Sequence, residues 1–298
     1  MLIRGCRMAG AIIVATVMAL ALAPPAVAAD TGIRVLVFTA VGSGSDGHLS
    51  TDSAVEFIEM SGRRHGFVME STDDNHLFTP AMLARYDVIV WLNNEGRVLS
   101  EQEREAFKGW YRAGGGFVGI HAAGYAEPDW DYFDELLGAR PRGGERDKTS
   151  QRTITVNTEH PAASGMPTEW TEQEDQWYRF DRDPAANDGT TVLATIPSAN
   201  GDVAKPIVWC REFDGGRAWY TAMGHRAKSY EDGDYMKMLR GGIAWVAGSR
   251  EQPLVENEDS APGWPYSLSF IAWVAAVAVG GGLAVRALNR RDATAEAQ

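Results

Sequence analysis

The sequence predicts an α/β domain with a flavodoxin-like, doubly wound and mainly parallel sheet, an antiparallel extension, and one C-terminal transmembrane helix. In the first half of the chain, short uninterrupted apolar runs alternate with helical patterns, which is typical of a parallel sheet covered on both faces. In the second half, two apolar runs flank Asp214-Gly215-Gly216, which is typical of an antiparallel hairpin. Near the C-terminus, residues 266–285 carry no charge, and such a run matches the roughly 20 residues that cross a bilayer.

The first 28 residues are typical of a cleaved secretory signal. Arg4 and Arg7 precede an uncharged apolar stretch, two prolines follow it, and Ala26-Val27-Ala28 is a small-x-small cleavage site. The alternative is an N-terminal anchor that is not cleaved.

The second apolar run is predicted to hold the chain in the cell membrane as a single-pass protein. Arg286, Arg290 and Arg291 follow the run directly, so the positive-inside rule places the short tail in the cytoplasm and the globular domain outside. The predicted organisation is a signal at residues 1–28, a globular domain at 33–248 and an acidic linker at 249–265. A transmembrane helix at 266–285 and a cytoplasmic tail at 286–298 follow.

Charge and cysteine content exclude several kinds of partner. The formal net charge is −12, and it becomes −14 once residues 1–28, which carry two arginines and no acid, are removed. An acidic surface argues against binding nucleic acid. Only Cys210 remains after the signal, so an internal disulfide and a thiolate metal cluster are both excluded. Cys210 lies within a predicted strand and is expected to be buried and inert.

Local signals place the elements of the domain in order. Helix starts are indicated by Thr79-Pro80, a cap followed by proline, and by the capping box Ser100–Glu103. Apolar runs predict parallel strands at 33–39, 67–70, 87–92 and 117–120, and antiparallel strands at 206–211 and 217–222. Helical patterns cover 50–64, 100–113 and 234–247.

Three of the six histidines follow predicted strands. His48 ends a glycine-rich loop after the first strand, His121 leaves the fourth strand directly, and His225 follows the last. In doubly wound sheets ligands bind beyond the C-terminal ends of the strands, so we expect these histidines to converge. Neutral imidazoles with Asp175 would offer a site for a divalent ion such as Zn²⁺.

His121 stands where related architectures expose a nucleophile on a sharp strand-to-helix turn. Because histidine replaces serine or cysteine there, elbow chemistry by such a nucleophile is not expected. His121 is interpreted as a metal ligand or general base, and the alternative is a histidine that bonds neighbouring backbone.

Several polar and aromatic residues are candidates for contacting a substrate. The stretch Glu174–Tyr178 mixes carboxylates with aromatic rings, which suits sugar hydroxyls and apolar sugar faces but equally suits a half-buried strand. The candidate catalytic residues are His121, His225 and Asp175, and the candidate substrate-binding residues are Asn93, Trp130, Trp177, Tyr178 and Tyr230.

The order of these segments resembles the ThuA-like (trehalose utilisation) domain of the class I glutamine amidotransferase-like superfamily. GGGFVGIHAA and GRAWYTAMGH are its most specific stretches, and the resemblance covers about residues 33–248. It implies a flavodoxin-like fold without the amidotransferase cysteine, and a link to trehalose, related disaccharides and keto-sugars. Some members of the family resemble metal binders. His48, His121 and His225 match the family's histidines, and Asp175 and Tyr178 match its acidic-aromatic motif.

The chain departs from the family pattern in two places. Gln176 stands where the family commonly has Glu, and residues 140–151 lack a histidine that members often carry after Gly138. Both departures favour binding without catalysis. The function predicted first is a membrane-anchored extracytoplasmic protein that acts on a sugar or keto-sugar derivative. The alternative is a non-catalytic carbohydrate-binding or cell-envelope interaction module.

Overall fold

The computed structural model describes residues 32–45, 47–197 and 204–248. The predicted signal, linker, transmembrane helix and tail lie outside these residues. Among the described helices, none has the length and apolarity that spanning a membrane requires.

The described residues form a nine-stranded sheet flanked by helices, with a separate two-stranded ladder. The strands are β1 Ile33–Phe38, β2 Phe67–Thr72, β3 Val88–Leu92, β4 Glu95–Gly96, β5 Gly116–Ile120, β6 Tyr125–Ala126, β7 Pro141–Val156, β8 Glu169–Phe180, β9 Thr190–Ile196, β10 Lys205–Phe213 and β11 Gly216–Thr221. The helices are α1 Thr51–His65, α2 Pro80–Leu83, α3 Glu101–Arg112, α4 Asp131–Leu137 and α5 Gly233–Val246.

The large sheet has the order β2-β1-β3-β5-β11-β10-β9-β7-β8. Its first five strands are mutually parallel, and their order is that of the flavodoxin-like fold. The remaining four strands pair antiparallel. The predicted fold class is therefore confirmed for the domain, and the antiparallel extension is larger than the single predicted hairpin.

The sequence signals for helix starts act as predicted. The Ser100 hydroxyl accepts from the Glu103 amide while the Glu103 carboxylate accepts from the Ser100 amide, which completes the capping box of α3. Thr79 caps α2, with proline at the first helical position. The core lies on both faces of the parallel strands, where Trp91 on β3 contacts Phe38, Phe107 and Phe133.

A buried ionic network holds the ladder of β4 and β6 beside the sheet edge. Glu127, fully buried, accepts from the backbone amides of Val98 and Leu99 at 2.7 and 2.9 Å and pairs with Arg104. Arg140 donates to the carbonyls of Gly124 at 2.9 Å and Glu127 at 2.8 Å. Because buried charges persist only when paired and hydrogen-bonded, this network fixes the backbone that follows β3 and β5.

Candidate functional site

The three strand-end histidines meet at the C-terminal edge of the parallel sheet. His48 lies between β1 and α1, His121 follows β5, and His225 follows β11. Each offers a ligand atom, and these atoms lie within 4.8 Å of one another. The ring centroids are 5.0, 5.4 and 5.1 Å apart for the pairs His48–His121, His48–His225 and His121–His225. The expected convergence is therefore confirmed.

The antiparallel hairpin delivers His225 to this edge because one of its strands also joins the parallel core. β11 pairs antiparallel with β10 and parallel with β5, with Thr221 opposite Ile120. The loop after β11 therefore leaves the sheet on the same side as the loop after β5.

His121 has a strained backbone at the elbow position. Its φ is +52°, in the left-handed region that residues other than glycine rarely adopt, at a cost of order 1–3 kcal/mol. The Tyr220 hydroxyl donates to the His121 carbonyl at 2.8 Å, which helps to hold this conformation. The sharp turn is thus present, and it carries an imidazole.

Hydrogen bonds assign the tautomer of His121. Its Nδ1 lies 2.7 Å from the carbonyl oxygen of Ala222, which can only accept, so Nδ1 carries the proton. Nε2 then presents its lone pair, and it lies 3.2 Å from His225 Nδ1. Ligand nitrogens of a tetrahedral zinc site stand about 3.3 Å apart when Zn–N bonds are about 2.0–2.1 Å.

Burial favours the neutral form of two of these imidazoles, His121 and His48. It lowers the pKa of His121 well below the ordinary value, and the neighbouring His48 and His225 lower it further against the hydrogen bond to Ala222. Burial also lowers the pKa of His48, against the opposing charge of Glu95. Neutral imidazole is the form that binds a metal ion.

A carboxylate stands behind His48. Glu95 Oε1 lies 3.5 Å from His48 Nδ1, while its Oε2 accepts from the Ser45 hydroxyl at 2.9 Å. The contact between Glu95 and His48 is electrostatic, because His48 Nδ1 makes no hydrogen bond among the described residues. The Gly42 amide donates to the Glu95 carbonyl at 2.7 Å, which ties the glycine-rich loop to β4.

Asp175 positions the His225 loop and does not act as the fourth ligand expected for it. Its carboxylate is fully buried and accepts from the amides of Gly224 at 2.7 Å, His225 at 3.1 Å and Gln176 at 2.7 Å. The Ser229 hydroxyl also donates to it, at 3.1 Å. Burial raises the pKa of Asp175 to about 6 although these hydrogen bonds oppose the rise. Since both oxygens are engaged by the loop, we assign Asp175 a positioning role.

Gly224 needs to be glycine for this loop to form. Its φ is +112°, and a Cβ there would lie 2.6 Å from the Tyr230 hydroxyl. Tyr230, expected to contact substrate, donates instead to the Gly224 carbonyl at 3.3 Å.

Asn93 likewise supports the loops. Its φ is +58°, and its amide donates to the hydroxyls of Ser50 at 3.2 Å and Thr51 at 3.1 Å. Ser50 in turn donates to the Gly224 carbonyl at 3.1 Å. The loops after β1, β3 and β11 are thereby joined by one chain of hydrogen bonds.

Of the predicted aromatic residues, Tyr178 reaches the histidines. Its ring stacks on His121 at 4.7 Å, and its hydroxyl lies 2.7 Å from His121 Nε2. Burial raises the pKa of Tyr178 well above its ordinary value, so the hydroxyl remains a donor.

The two tryptophans have other partners. Trp130 stacks on Phe133 and lies beneath the guanidinium of Arg104, and Trp177 donates to the Ser150 carbonyl at 2.8 Å. Their expected role in stacking on a sugar is therefore not supported by their contacts.

Two residues of the site, Glu95 and Tyr125, were not among the candidate site residues, although Glu95 lies in a strand-end loop at the edge where ligands were expected. They are partners in the ladder of β4 and β6, and Tyr125 packs edge-on against Tyr178 at 5.3 Å. Glu95 belongs to a polar loop at a strand end, which is a usable signal, whereas nothing in the sequence around Tyr125 distinguishes it. Together they form one wall of the site, with a half-buried ring beside a carboxylate.

The arrangement suits a borderline divalent ion such as Zn²⁺. It offers three imidazoles, and the tautomer of one of them, His121, is set by a backbone carbonyl. If these three histidines held an ion, their number would be that of catalytic rather than structural zinc sites.

Comparisons with known proteins agree with this fold. The family model described as ThuA, trehalose utilisation, matches residues 34–246. A ThuA-like protein from Bacteroides uniformis ATCC 8492 is 25% identical with a TM-score of 0.62, covering 72% of this chain and 91% of that chain. A ThuA-like protein from Parabacteroides merdae ATCC 43184 is 20% identical with a TM-score of 0.59, covering 74% and 92%. No curated protein matches the chain.

Proposed function

The chain belongs to the ThuA family, described as trehalose utilisation, and we propose that its domain holds a divalent ion and acts on a sugar or keto-sugar derivative. His48, His121 and His225 would hold the ion, whose contribution when bound is to polarise a carbonyl or to activate water. The observation that carries the proposal is the convergence of three ligand atoms within 4.8 Å.

The wall beside the histidines supports a carbohydrate as the substrate. The ring of Tyr125 offers a surface for the apolar face of a sugar, and the Glu95 carboxylate can accept from sugar hydroxyls. Both lie next to the histidines, through Tyr178 and His48 respectively.

A non-catalytic carbohydrate-binding or cell-envelope interaction module is the second candidate. It is favoured by Asp175, whose oxygens are engaged by the loop that carries His225, and by Gln176, which lacks a charge. On this alternative the same pocket binds a sugar without converting it.

We further propose that the domain works outside the cell, held by a membrane helix at residues 266–285. The support is the sequence of the two ends, with its cleavage site, its uncharged run and the arginines behind that run.

Metal analysis of the purified full-length chain tests the ion. We expect close to one equivalent of a divalent ion after loading with Zn²⁺, and loss of at least 10-fold in affinity for His121→Ala or His225→Ala. His76→Ala is the matched control, because the His76 side chain is 85% exposed and lies elsewhere. Wild-type protein that retains no ion would refute the metal site.

A panel of disaccharides and their keto derivatives then separates the two candidates. Turnover that requires both the ion and His121 supports the enzyme, whereas saturable binding with unchanged sugar supports the binding module. Absence of both binding and turnover across the panel would contradict a carbohydrate function.

A further inference from the structure

We propose that the loop between β1 and α1 carries an apolar subsite, formed by Val41 and Leu49, which accepts an alkyl or aryl group attached to the sugar. The inference rests on the proposed function, and it narrows the substrate class to a glycoside with an apolar substituent.

The subsite consists of two exposed aliphatic side chains on the loop that carries His48. Among the described residues, the large hydrophobic side chains that stand exposed are those of Val41, Leu49 and Val68. Leu49 has no cover at all, with a relative exposure of 103%, and Val41 is 41% exposed. A single exposed leucine is ordinary in a folded protein, but two of these three residues lie on one loop at the candidate site.

The two side chains stand on either side of His48. A Cβ added at Gly47 would lie 3.7 Å from Val41 Cγ1, so the Val41 side chain packs beside the residue that precedes His48. Leu49 follows His48 directly. The His48 side chain is itself 13% exposed, so this part of the site is open to solvent.

The backbone around Leu49 is fixed, so its exposure is a property of the folded loop. The Thr51 amide donates to the His48 carbonyl at 3.1 Å. Ser50 is 1% exposed, and its hydroxyl donates to the Gly224 carbonyl at 3.1 Å. Because the loop is already ordered, covering Leu49 with a ligand costs little conformational entropy.

The subsite lies next to the wall that is proposed to bind the sugar. Glu95 Oε1 is 3.5 Å from His48 Nδ1, and Glu95 Oε2 accepts from the Ser45 hydroxyl at 2.9 Å on the same loop. A sugar whose hydroxyls donate to Glu95 therefore lies beside His48. A substituent on that sugar is then placed to extend over Val41 or Leu49.

The chemistry of the two side chains favours an apolar substituent over a second sugar ring. Aliphatic groups neither donate nor accept, so sugar hydroxyls placed against them would lose water without gaining a partner. An alkyl chain or an aryl ring loses no hydrogen bond there, and the apolar area that it covers stabilises the complex.

Two other occupants fit less well. A stable protein interface buries roughly 800 Å² on each partner, which is far more than two aliphatic side chains provide. The formal net charge of −12 argues against docking of this loop on an anionic membrane surface.

A series of alkyl α-glucosides tests the subsite in the full-length chain. Methyl, propyl and pentyl α-glucoside are the probes, and calorimetry measures their affinities. In the wild-type protein each added methylene should tighten binding by about twofold, since a methylene that is completely buried contributes about fourfold. Leu49→Ser should reduce this increment to less than half, with the affinity for methyl α-glucoside within about twofold of wild type.

Two further variants control for effects unrelated to the subsite. Leu49→Met keeps an apolar side chain and should keep the wild-type increment. Val68→Ser also replaces an exposed hydrophobic residue, but Val68 lies on the edge strand β2, opposite Arg34 near the start of β1, whereas His48 follows the end of β1. Val68→Ser should leave the whole series unchanged. Because Leu49 is fully exposed, Leu49→Ser should melt at the wild-type temperature.

The outcomes separate this inference from the proposed function. An affinity that does not grow with chain length in the wild type, or a wild-type increment in Leu49→Ser, would overturn the subsite while leaving carbohydrate binding intact. Disaccharides that bind when none of the alkyl glucosides does would also overturn it, because a second sugar would then be the preferred occupant. Failure of glucosides and disaccharides alike to bind would overturn the carbohydrate function and this inference together.

Discussion

Single residues at the sheet edge act through their backbone partners as much as through their own chemistry. Asp175 accepts from two successive amides of the His225 loop and from a serine hydroxyl, so the position of His225 depends on a carboxylate about 50 residues away. A side chain that holds a ligand in this way influences ion binding without touching the ion.

Asp175→Ala should therefore weaken both the fold and the site. Leaving the amides of Gly224 and His225 buried without an acceptor is expected to lower the free energy of unfolding by about 2–4 kcal/mol and Zn²⁺ affinity by about 10-fold or more. Urea unfolding and a chelator competition measure the two effects. Asp183→Ala is the control, since the exposed Asp183 caps a short turn and should cost about 1 kcal/mol with no change in affinity. An Asp175→Ala variant with wild-type affinity would contradict the positioning role.

Cys210 has a histidine neighbour that its sequence position did not predict. His160 Nε2 lies 3.6 Å from the thiol, but His160 Nδ1 accepts from the Ala162 amide at 3.2 Å, so Nε2 carries the proton. The imidazole therefore donates towards sulfur and cannot remove the thiol proton. Burial raises the pKa of Cys210 to about 12, in keeping with an inert thiol.

The folded protein should accordingly resist thiol reagents. At pH 8 we expect less than one-tenth of Cys210 to react with an aromatic disulfide reagent in the time that unfolded chain reacts fully. Because the thiol pKa is raised by folding, stability should fall as pH rises above about 9, where only the unfolded thiol ionises. Cys210→Ala should lessen that fall. Rapid labelling of native protein at pH 8 would contradict this view.

Sequence patterns predict the positions of the three histidines better than those of the side chains around them. Apolar runs mark the strand ends, so the order of the sequence is enough to bring His48, His121 and His225 to one edge of the sheet. The direction of side chains on β8 does not follow in the same way, because alternation fixes which residues share a face but not which face meets the site. Tyr178 consequently points to His121, while Trp177 on the opposite face bonds Ser150.

The strands and helices of the first half of the domain are predicted by local sequence signals. The strands of the second half depend on pairing with their neighbours in the sheet. The first half of β7 is rich in charged residues, and β-branched residues run together only at its end, from Thr153 to Val156, so its sequence does not indicate a sixteen-residue strand. Its partners β8 and β9 supply the ladder that its own propensity lacks. The parallel pairing of β11 with β5 is likewise a property of the sheet, and it places His225.

Helix α5 packs against the sheet at a glycine. A Cβ added at Gly242 would lie 2.6 Å from the ring of Trp219 on β11, whereas one added at Gly109 in α3 would have no atom within 4 Å. Glycine at 242 thus permits an approach that any other residue would prevent.

These two glycines give opposite predictions for the same substitution. Gly109→Ala should raise the free energy of unfolding by about 0.5–1 kcal/mol, because alanine favours the helix. Gly242→Ala should lower it by about 1–3 kcal/mol, because overpacking against Trp219 outweighs that gain. Urea unfolding of the two variants measures both, and stabilisation by Gly242→Ala would show that α5 does not lie so close to β11.

Across the whole molecule, the site joins segments that are far apart in the chain. Ser50 bonds Gly224 across 174 residues, and Asn93 joins the same chain of hydrogen bonds. The three histidines are therefore brought together only by the complete parallel core. An ion that binds this arrangement and not the unfolded chain stabilises the entire domain by mass action.

The two ends of the sequence predict that the full-length chain is attached to the cell membrane. The full-length chain should partition with membranes, because residues 266–285 carry no charge and arginines follow them. Deletion of residues 264–298 should release the domain into the soluble fraction with its melting temperature unchanged, because the described core ends with α5 at Val246.

Val277→Arg, in the middle of the apolar run, should weaken membrane insertion by about 2.5–3.5 kcal/mol. Membrane fractionation with carbonate extraction measures all three proteins, and the shortened chain is also followed by thermal unfolding. A full-length chain found in the soluble fraction would remove the anchor, while the histidine site, which depends only on residues of the folded domain, would be unaffected.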